Sequence, residues 1–547
     1  MPAWTEKEAV LPKPLPATTK NNLARVLTML LSCGLLYVII ACAWQSDDAY
    51  ITYRTVRNAW AGHGLTWNPG ERVQSYTHPL WLLVSFLLYG ISHDVFYSVI
   101  VASIFFTMVA AGLVVRAAGL EFRMAALAIV LIATSGAFVD YATSGLENPL
   151  LYLLLTLFIL VGLNLKTPPS TRFLRLGLLT AAIGLTRLDA VLILSPGLLG
   201  ACWSQRPRRL AFGNLLVGLL PLVGWEIFSL LSYGSFVPNT ALAKLNVAIP
   251  VATLVRQGLR YFADSLQRDP VTLWVLAISA GLALYRGSAF HRLIVAGLGL
   301  YLVYILCIGG DFMSGRFFAA PYLAAVTLLV TIASRCSHEK AARRAAITGV
   351  AVLCGLGIFW PRTRWTSGVD FGQGLLFSDV VRPTGIADER AYYYPTTGLL
   401  RVLSHRSSNK KQDLPTPPYA GAVAGARFAR PNETVAVWNE VGFFGLFSGD
   451  DKTVIDLWSL CDPLLARIPF RAQGAWRIGH FPRRIPLGYV ESRQTGRNLL
   501  EDPGLAAVYD SLTLVTRGPL FSAARWREIW RLNTGYYTRA LGKPDDL

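Results

Sequence analysis

Charged side chains are scarce in this chain, at 15% of 547 residues. That is too few for an ordinary soluble domain of this size. Its seven cysteines form no CxxC pair and no Cys/His cluster, which excludes a disulfide framework and a zinc centre. Cys33, Cys42, Cys202, Cys307 and Cys354 fall in or beside apolar stretches, Cys336 lies in a basic loop, and Cys461 stands alone in the tail. No GxxxxGK loop is present, so no nucleotide site of that kind is expected. No repeat at solenoid periods is visible. No small-residue cleavage site follows the first apolar run, so residues 26–44 are read as a retained helix rather than a cleaved signal. Acidic residues are the minority, 33 against 51 basic, for a net charge of +18. The excess sits in short loops at 13–25, 166–175, 206–209 and 335–344. That is the positive-inside pattern of a cytoplasmic membrane, and it argues against nucleic acid as the partner.

What the chain does have is hydrophobic length: 53% hydrophobic residues and a mean hydropathy of +0.42. Apolar segments lie near 26–44, 79–91, 96–115, 124–139, 149–165, 174–187, 189–203, 210–232, 271–286, 291–309, 317–334 and 345–360. Several are shorter than the ~20 residues of a simple span, as re-entrant or cavity-lining helices are. A basic N-terminus inside and a tail outside require an odd number of crossings. One segment is therefore not a full crossing, and the short 79–91 is the candidate. The expectation is a polytopic α-helical membrane protein of about eleven transmembrane helices over residues 1–360. A small extracytoplasmic α/β domain follows over 361–547. In that tail, 405–418 reads as a polar loop, and strand-like runs lie at 434–438, 453–457 and near 512–516.

Asp47 and Asp48 stand where the first apolar run leaves the membrane. Adjacent carboxylates at that boundary are costly without a function. One reading makes them caps of an interfacial helix over 49–61, since Asp is a favoured N-cap. The other makes one of them a general base that removes a proton from an acceptor hydroxyl, its neighbour raising its pKa or sharing a divalent metal. His78, between Thr77 and Pro79, is read as positional, at the start of a helix with Pro in its first turn. Glu147 precedes an apolar helix, where the macrodipole alone favours it, and it could also orient a sugar. Arg187 and Asp189 interrupt an apolar stretch and form either a structural ion pair or a ligand contact. Lys244, at the end of the motif 233–244, and Arg316, in 309–317, lie on the outer side against the positive-inside trend. They are the candidates for holding a lipid phosphate, the alternative being snorkelling to headgroups.

Taken together, these stretches resemble GT-C-type glycosyltransferases. More narrowly, they resemble the terminal β-1,2-arabinofuranosyltransferases of mycobacterial cell-wall arabinan and their bacterial relatives. The resemblance rests on 47–54, 62–73, 144–149, 233–244 and 309–316. In the tail it rests on 385–390 (GIADER), 456–467 (DLWSLCDPLLAR) and Gly479-His480. It implies an inverting transfer of a pentose, D-arabinofuranose, from a polyprenyl-phosphate donor to a hydroxyl of an envelope glycan or glycoprotein at the outer face of a bacterial inner membrane. Membrane lipids are its other partners. Asp47 or Asp48 would be the base, with Lys244, Arg316, Arg187 and Arg54 at the donor phosphate. Glu147, His78, Asn239, Asp311, Asp189 and His480 would lie at the sugar or acceptor. No cofactor is required, and a divalent metal on Asp47 and Asp48 is left open. The alternatives are transfer of another sugar or to a protein, a lipid-linked substrate transporter, and a non-catalytic envelope scaffold.

Overall fold

The computed structural model describes residues 17–119, 122–336, 339–359, 365, 367–408, 415–429, 433–472, 474 and 476–542. The first basic residues 13–16, the proposed boundary at 360–361 and positions 409–414 of the expected polar loop lie outside them.

The helices follow the apolar runs. α1 (Ala17–Ala41) leads to a polar turn, after which α2 (Asp47–Trp60) and α3 (Pro79–Ser92) stay on the same side. α4 (Val95–Ala117) starts at Asp94, whose side chain accepts from Tyr97 N at 2.7 Å. α5 (Phe122–Thr134) and α6 (Gly136–Asp140) bring the chain to the loop before α7 (Asn148–Leu163). α8 (Pro169–Thr186), α9 (Val191–Ser204) and α10 (Arg208–Tyr233) then run back and forth. α8 and α10 pack backbone to backbone, because a Cβ on Gly218 would lie 2.7 Å from Gly177 Cα. The short α11 (Asn239–Leu245) and the amphipathic α12 (Val251–Arg268) precede α13 (Pro270–Arg286), α14 (Ala289–Cys307), α15 (Arg316–Ala333) and α16 (Lys340–Phe359).

Among the described residues, five helical stretches are long and apolar enough to cross a membrane: Asn21–Ala41, Val95–Ala117, Arg208–Tyr233, Ala289–Cys307 and Arg316–Ala333. Five shorter apolar helices accompany them. The chain is a multi-pass helical membrane protein. α3 has a distinct course. His78, before its first residue, bonds Thr52 at 2.8 Å, and Trp60 Nε1 donates to Phe86 O at 3.1 Å. Gln45 Nε2 donates to Phe96 O, just beyond its far end, at 3.1 Å. Both ends of α3 thus lie beside residues 45–60. At the opposite end of the bundle the basic turns meet, with Arg286 3.0 Å from Glu339.

The tail continues through α17 (Phe377–Val380), α18 (Glu389–Thr397), α19 (Leu399–Ser408) and α20 (Ala420–Phe428). β1 (Val435–Trp438), α21 (Val441–Phe447) and β2 (Thr453–Asp456) form the expected strand–helix–strand unit, with parallel register Val435↔Thr453 through Trp438↔Asp456. α22 (Tyr489–Thr495), α23 (Pro503–Arg517) and α24 (Ala523–Asn533) complete it. Two readings are corrected. The apolar run at 512–516 is helical, the last turns of α23, because Asp502 caps a helix with Pro503 in its first turn and the apolar residues share one face. Residues 405–408 belong to α19 rather than to a loop. The tail does not close its own core: Ile51 from α2 and Trp67 from the following loop pack with Val441, Phe444, Val454 and Cys461.

Candidate active site

α2 begins at Ser46, whose N–H donates to Ser144 O at 3.0 Å. Ser46 is the N-cap, so Asp47 and Asp48 are first-turn residues and neither caps its own helix. On a helix, neighbouring residues point about 100° apart, and the two carboxylates have different partners.

Asp47 is buried and faces the tail. Its Oδ2 accepts from Gly442 N at 2.9 Å and its Oδ1 from Phe443 N at 2.8 Å. It therefore caps α21 from across the interface. Glycine at 442 is required by this approach, because a Cβ there would sit 1.8 Å from Asp47 O. Burial pushes the Asp47 carboxyl up to about 8 against the pull of those two N–H groups. Arg54, seven positions on, is wholly buried on the same side. It donates to Trp67 O at 2.8 Å, to Ser448 Oγ and Lys452 O at 2.7 Å, and to Gly445 O. Arg54 thus belongs to the joint with the tail and does not reach the cation cluster. Asn239 is also structural: its Nδ2 donates to Ser459, Leu460 and Asp462 carbonyls at 3.0–3.1 Å. The Arg54→Ala variant is expected to leave Lys452 O without its donor, to remove the bonds to Trp67, Gly445 and Ser448, and to loosen the tail by about 3 kcal/mol or more. Faster proteolysis after residue 365 and a lower melting temperature would show it.

Asp48 faces the other way, with a quarter of its side chain exposed and Oδ2 4.0 Å from Arg316 Nη1. Burial raises its carboxyl above the usual range, while Lys244 and then Arg316 pull it down. Arg316 also lies 3.3 Å from Glu147 and 3.7 Å from Asp311. Arg187 reaches Glu147 at 3.0 Å and Asp189 at 2.8 Å, and its guanidinium lies 4.6 Å from the Phe317 ring centre. Burial opposes ionisation of Glu147, but Arg316 above all, then His78 and Arg187, outweigh it and hold the carboxyl at about 2. His78 Nδ1 is 3.5 Å from Glu147 Oε2, and burial drives its imidazole down to about 4. His78 is tied to Thr52 at 2.8 Å. Lys244 and Arg477 flank the Phe312 ring at 5.9 and 5.0 Å, and His480 meets it edge-on at 4.2 Å.

The structure thus brings together Asp48, Lys244, Arg316, Glu147, Arg187, Asp189, Asp311, His78 and His480. It sets Asp47, Arg54 and Asn239 apart. It adds two groups that sequence reasoning did not single out. Arg477 lies 3.3 Å from Glu389, and burial raises the Glu389 carboxyl to about 8 against Arg477. Glu389 lay within the 385–390 stretch, whereas Arg477 carried no signal. Around the cluster, Glu147 Oε2, Asp311 Oδ2, His78 Nδ1 and Arg316 Nε are buried without a hydrogen bond. Buried polar atoms of this kind are costly unless a partner meets them. The Asp47–Asp48 pair does not fit a divalent metal, because the two carboxylates do not converge and Asp47 is used by α21. Among the described residues no group of three or more His, Cys, Asp or Glu is placed to hold one.

Comparison with known proteins gives two relatives over most of the chain. One is the terminal β-(1→2)-arabinofuranosyltransferase of Mycobacterium tuberculosis, 28% identical over 523 residues, covering 81% of each chain. The other is the protein of the same name from Corynebacterium glutamicum, 27% identical over 508 residues, covering 80% of this chain and 72% of that one. The chain resembles the terminal β-(1→2)-arabinofuranosyltransferases. No family model matches it. Among solved structures, ArnT from Cupriavidus metallidurans bound to undecaprenyl phosphate is 12% identical with a TM-score of 0.47, over 80% of this chain and 86% of that chain. The apo oligosaccharyltransferase of Archaeoglobus fulgidus is 13% identical with a TM-score of 0.45, over 83% and 66%.

Proposed function

We propose that this chain is a GT-C-type glycosyltransferase that moves D-arabinofuranose from a polyprenyl-phosphate donor to a hydroxyl of an envelope glycan. The observation that carries this reading is Asp48, a partly open carboxylate beside the buried Arg316, in a chain similar to arabinofuranosyltransferases over 80–81% of its length. The basic turns at the far end of the bundle support an extracytoplasmic position for this cluster at a bacterial inner membrane. With α3 not crossing, α1, α4, α5, α7–α10 and α13–α16 make eleven traverses. The membrane part then ends near 360, and the tail from 361 lies outside with the cluster.

Lys244 and Arg316, backed by Arg187, hold the donor phosphate. Glu147 and Asp189 fix the two guanidiniums, and their fixed orientation lets them stabilise charge without rearranging. Asp48 accepts the proton of the acceptor hydroxyl. The acceptor oxygen bonds to the anomeric carbon as the bond from that carbon to the phosphate oxygen breaks, and the polyprenyl phosphate leaves as an anion. The phosphate needs no acid to depart. A single displacement of this kind inverts the anomeric carbon. His78, Asp311 and His480 border the space beside Asp48 and serve the sugar or the acceptor.

The test uses the full chain in lipid nanodiscs with synthetic polyprenyl-phosphoryl arabinofuranose and an arabinan oligosaccharide. Mass spectrometry should show one added pentose, and NMR should show its anomeric configuration opposite to that of the donor. Transfer of a hexose alone would move the donor to another sugar. Retention would replace the single displacement with a two-step route. No transfer from any polyprenyl-phosphate sugar would overturn the reading.

A further inference from the structure

The two strands of the tail end beside the first turn of α2. β1 and β2 are parallel, so their carboxyl ends share one edge. The chain leaves β1 through Asn439 and Glu440 into α21, whose first N–H groups are held by Asp47. That edge therefore lies next to Asp48. The carboxyl ends of parallel strands are where open α/β units bind ligands. Leu457 N donates to Trp438 O at 2.9 Å, and Trp458 follows it off the end of β2. Leu457 O accepts from Arg483 N at 3.0 Å, which draws the turn Arg477–His480 up to the same edge.

Three groups gather there that donor binding and proton removal do not use. Glu440 Oε2 accepts from the Tyr419 hydroxyl at 2.8 Å, and among the described residues nothing bonds to its other oxygen. Trp458 is half-buried, its ring 4.1 Å from His480, which in turn lies 4.2 Å from Phe312 at the cation cluster. Its indole N–H meets no acceptor among the described residues. Arg477, 29% exposed, donates to Gly385 O at 2.7 Å and lies 3.3 Å from Glu389. Its Nη1 has no partner among the described residues. Burial first, then Glu440, raises the half-buried Tyr392 hydroxyl and Arg477 opposes the rise, so these side chains border one patch. A carboxylate, a guanidinium and an indole N–H suit a neutral polyhydroxylated chain, since each hydroxyl both donates and accepts and the indole adds a flat apolar face. Glu440 and Glu389 disfavour an anion here.

We propose that this patch is a second acceptor subsite, which holds the sugar next to the one that reacts at Asp48. The inference rests on the sugar-transfer reading above. The penultimate sugar lies against Trp458 with its hydroxyls on Glu440 and Arg477. An acceptor of two or more sugars therefore binds better than a single sugar, and the tail selects acceptors by length while the membrane part holds the donor.

The test uses the full chain in nanodiscs with polyprenyl-phosphoryl arabinofuranose and compares methyl arabinofuranoside with an arabinan disaccharide as acceptor. The disaccharide should show a KM about tenfold lower, the effect of one or two added hydrogen bonds. Glu440→Gln, which keeps an acceptor for Tyr419, should raise the disaccharide KM toward that of the single sugar without changing the donor KM or the melting temperature. Trp458→Ala should do the same, and Trp458→Phe, which keeps a ring, should recover part of the preference. Equal KM values for the two acceptors in the unaltered chain, or variants that raise both alike, would overturn the subsite and leave sugar transfer standing. No transfer to either acceptor would overturn the transfer reading, and the subsite with it.

Discussion

Asparagine at position 48 is expected to lower the rate of sugar transfer by about 10²–10⁴, the usual contribution of a positioned proton acceptor. Donor binding should change little, because Asp48 meets Arg316 no closer than 4.0 Å. The pH profile supplies a second readout. Burial raises the Asp48 carboxyl above the ordinary range, and Lys244 and Arg316 offset part of that rise. The base works ionised, so the rate should fall as pH drops through this raised value, and Asp48→Asn should remove that acid limb. Asp47→Asn should behave differently. It weakens the cap on α21 by about 1–3 kcal/mol, lowers the melting temperature and retains measurable transfer with the acid limb in place. Full activity in Asp48→Asn would end the proposed mechanism, and loss confined to Asp47→Asn would move the base to its neighbour.

Arg316→Ala is expected to damage both stability and donor binding. The guanidinium lies 3.3 Å from Glu147, 3.7 Å from Asp311 and 4.0 Å from Asp48. Removing it leaves carboxylates buried with less compensation, a loss of about 3–5 kcal/mol for a broken buried pair. Thermal unfolding in nanodiscs measures that loss. Arg316→Lys keeps the charge without the planar fork. It should restore most of the stability while the donor KM stays raised. A donor KM unchanged in both variants would remove Arg316 from the phosphate site.

The multi-pass helical membrane character was legible because the apolar runs are physically large signals. The pair Asp47 and Asp48 was legible as a place but not as a division of labour, since which carboxylate meets α21 depends on contacts 395 residues away in sequence. Arg54 was misplaced because a cation in a motif gives no sign of whether its partners are phosphates or peptide carbonyls. Asn239 was misplaced likewise, its acceptors being backbone oxygens with no sequence signature. The run at 512–516 has the composition of a strand. Only the cap at Asp502 and the shared apolar face make it helical, and the face shows only across the longer window that α23 occupies.

The core of the tail is completed by Ile51 and Trp67, and Asp47, Arg54 and the buried Glu71–Arg493 pair bind it to the same stretch of chain. The first outer loop and the tail therefore form one inherited unit, although roughly three hundred residues separate them. Recombination between relatives can exchange the helices between them more freely than it can exchange either partner alone. A tail grafted from a distant relative should fold onto this bundle only when the donor's own version of residues 47–73 travels with it.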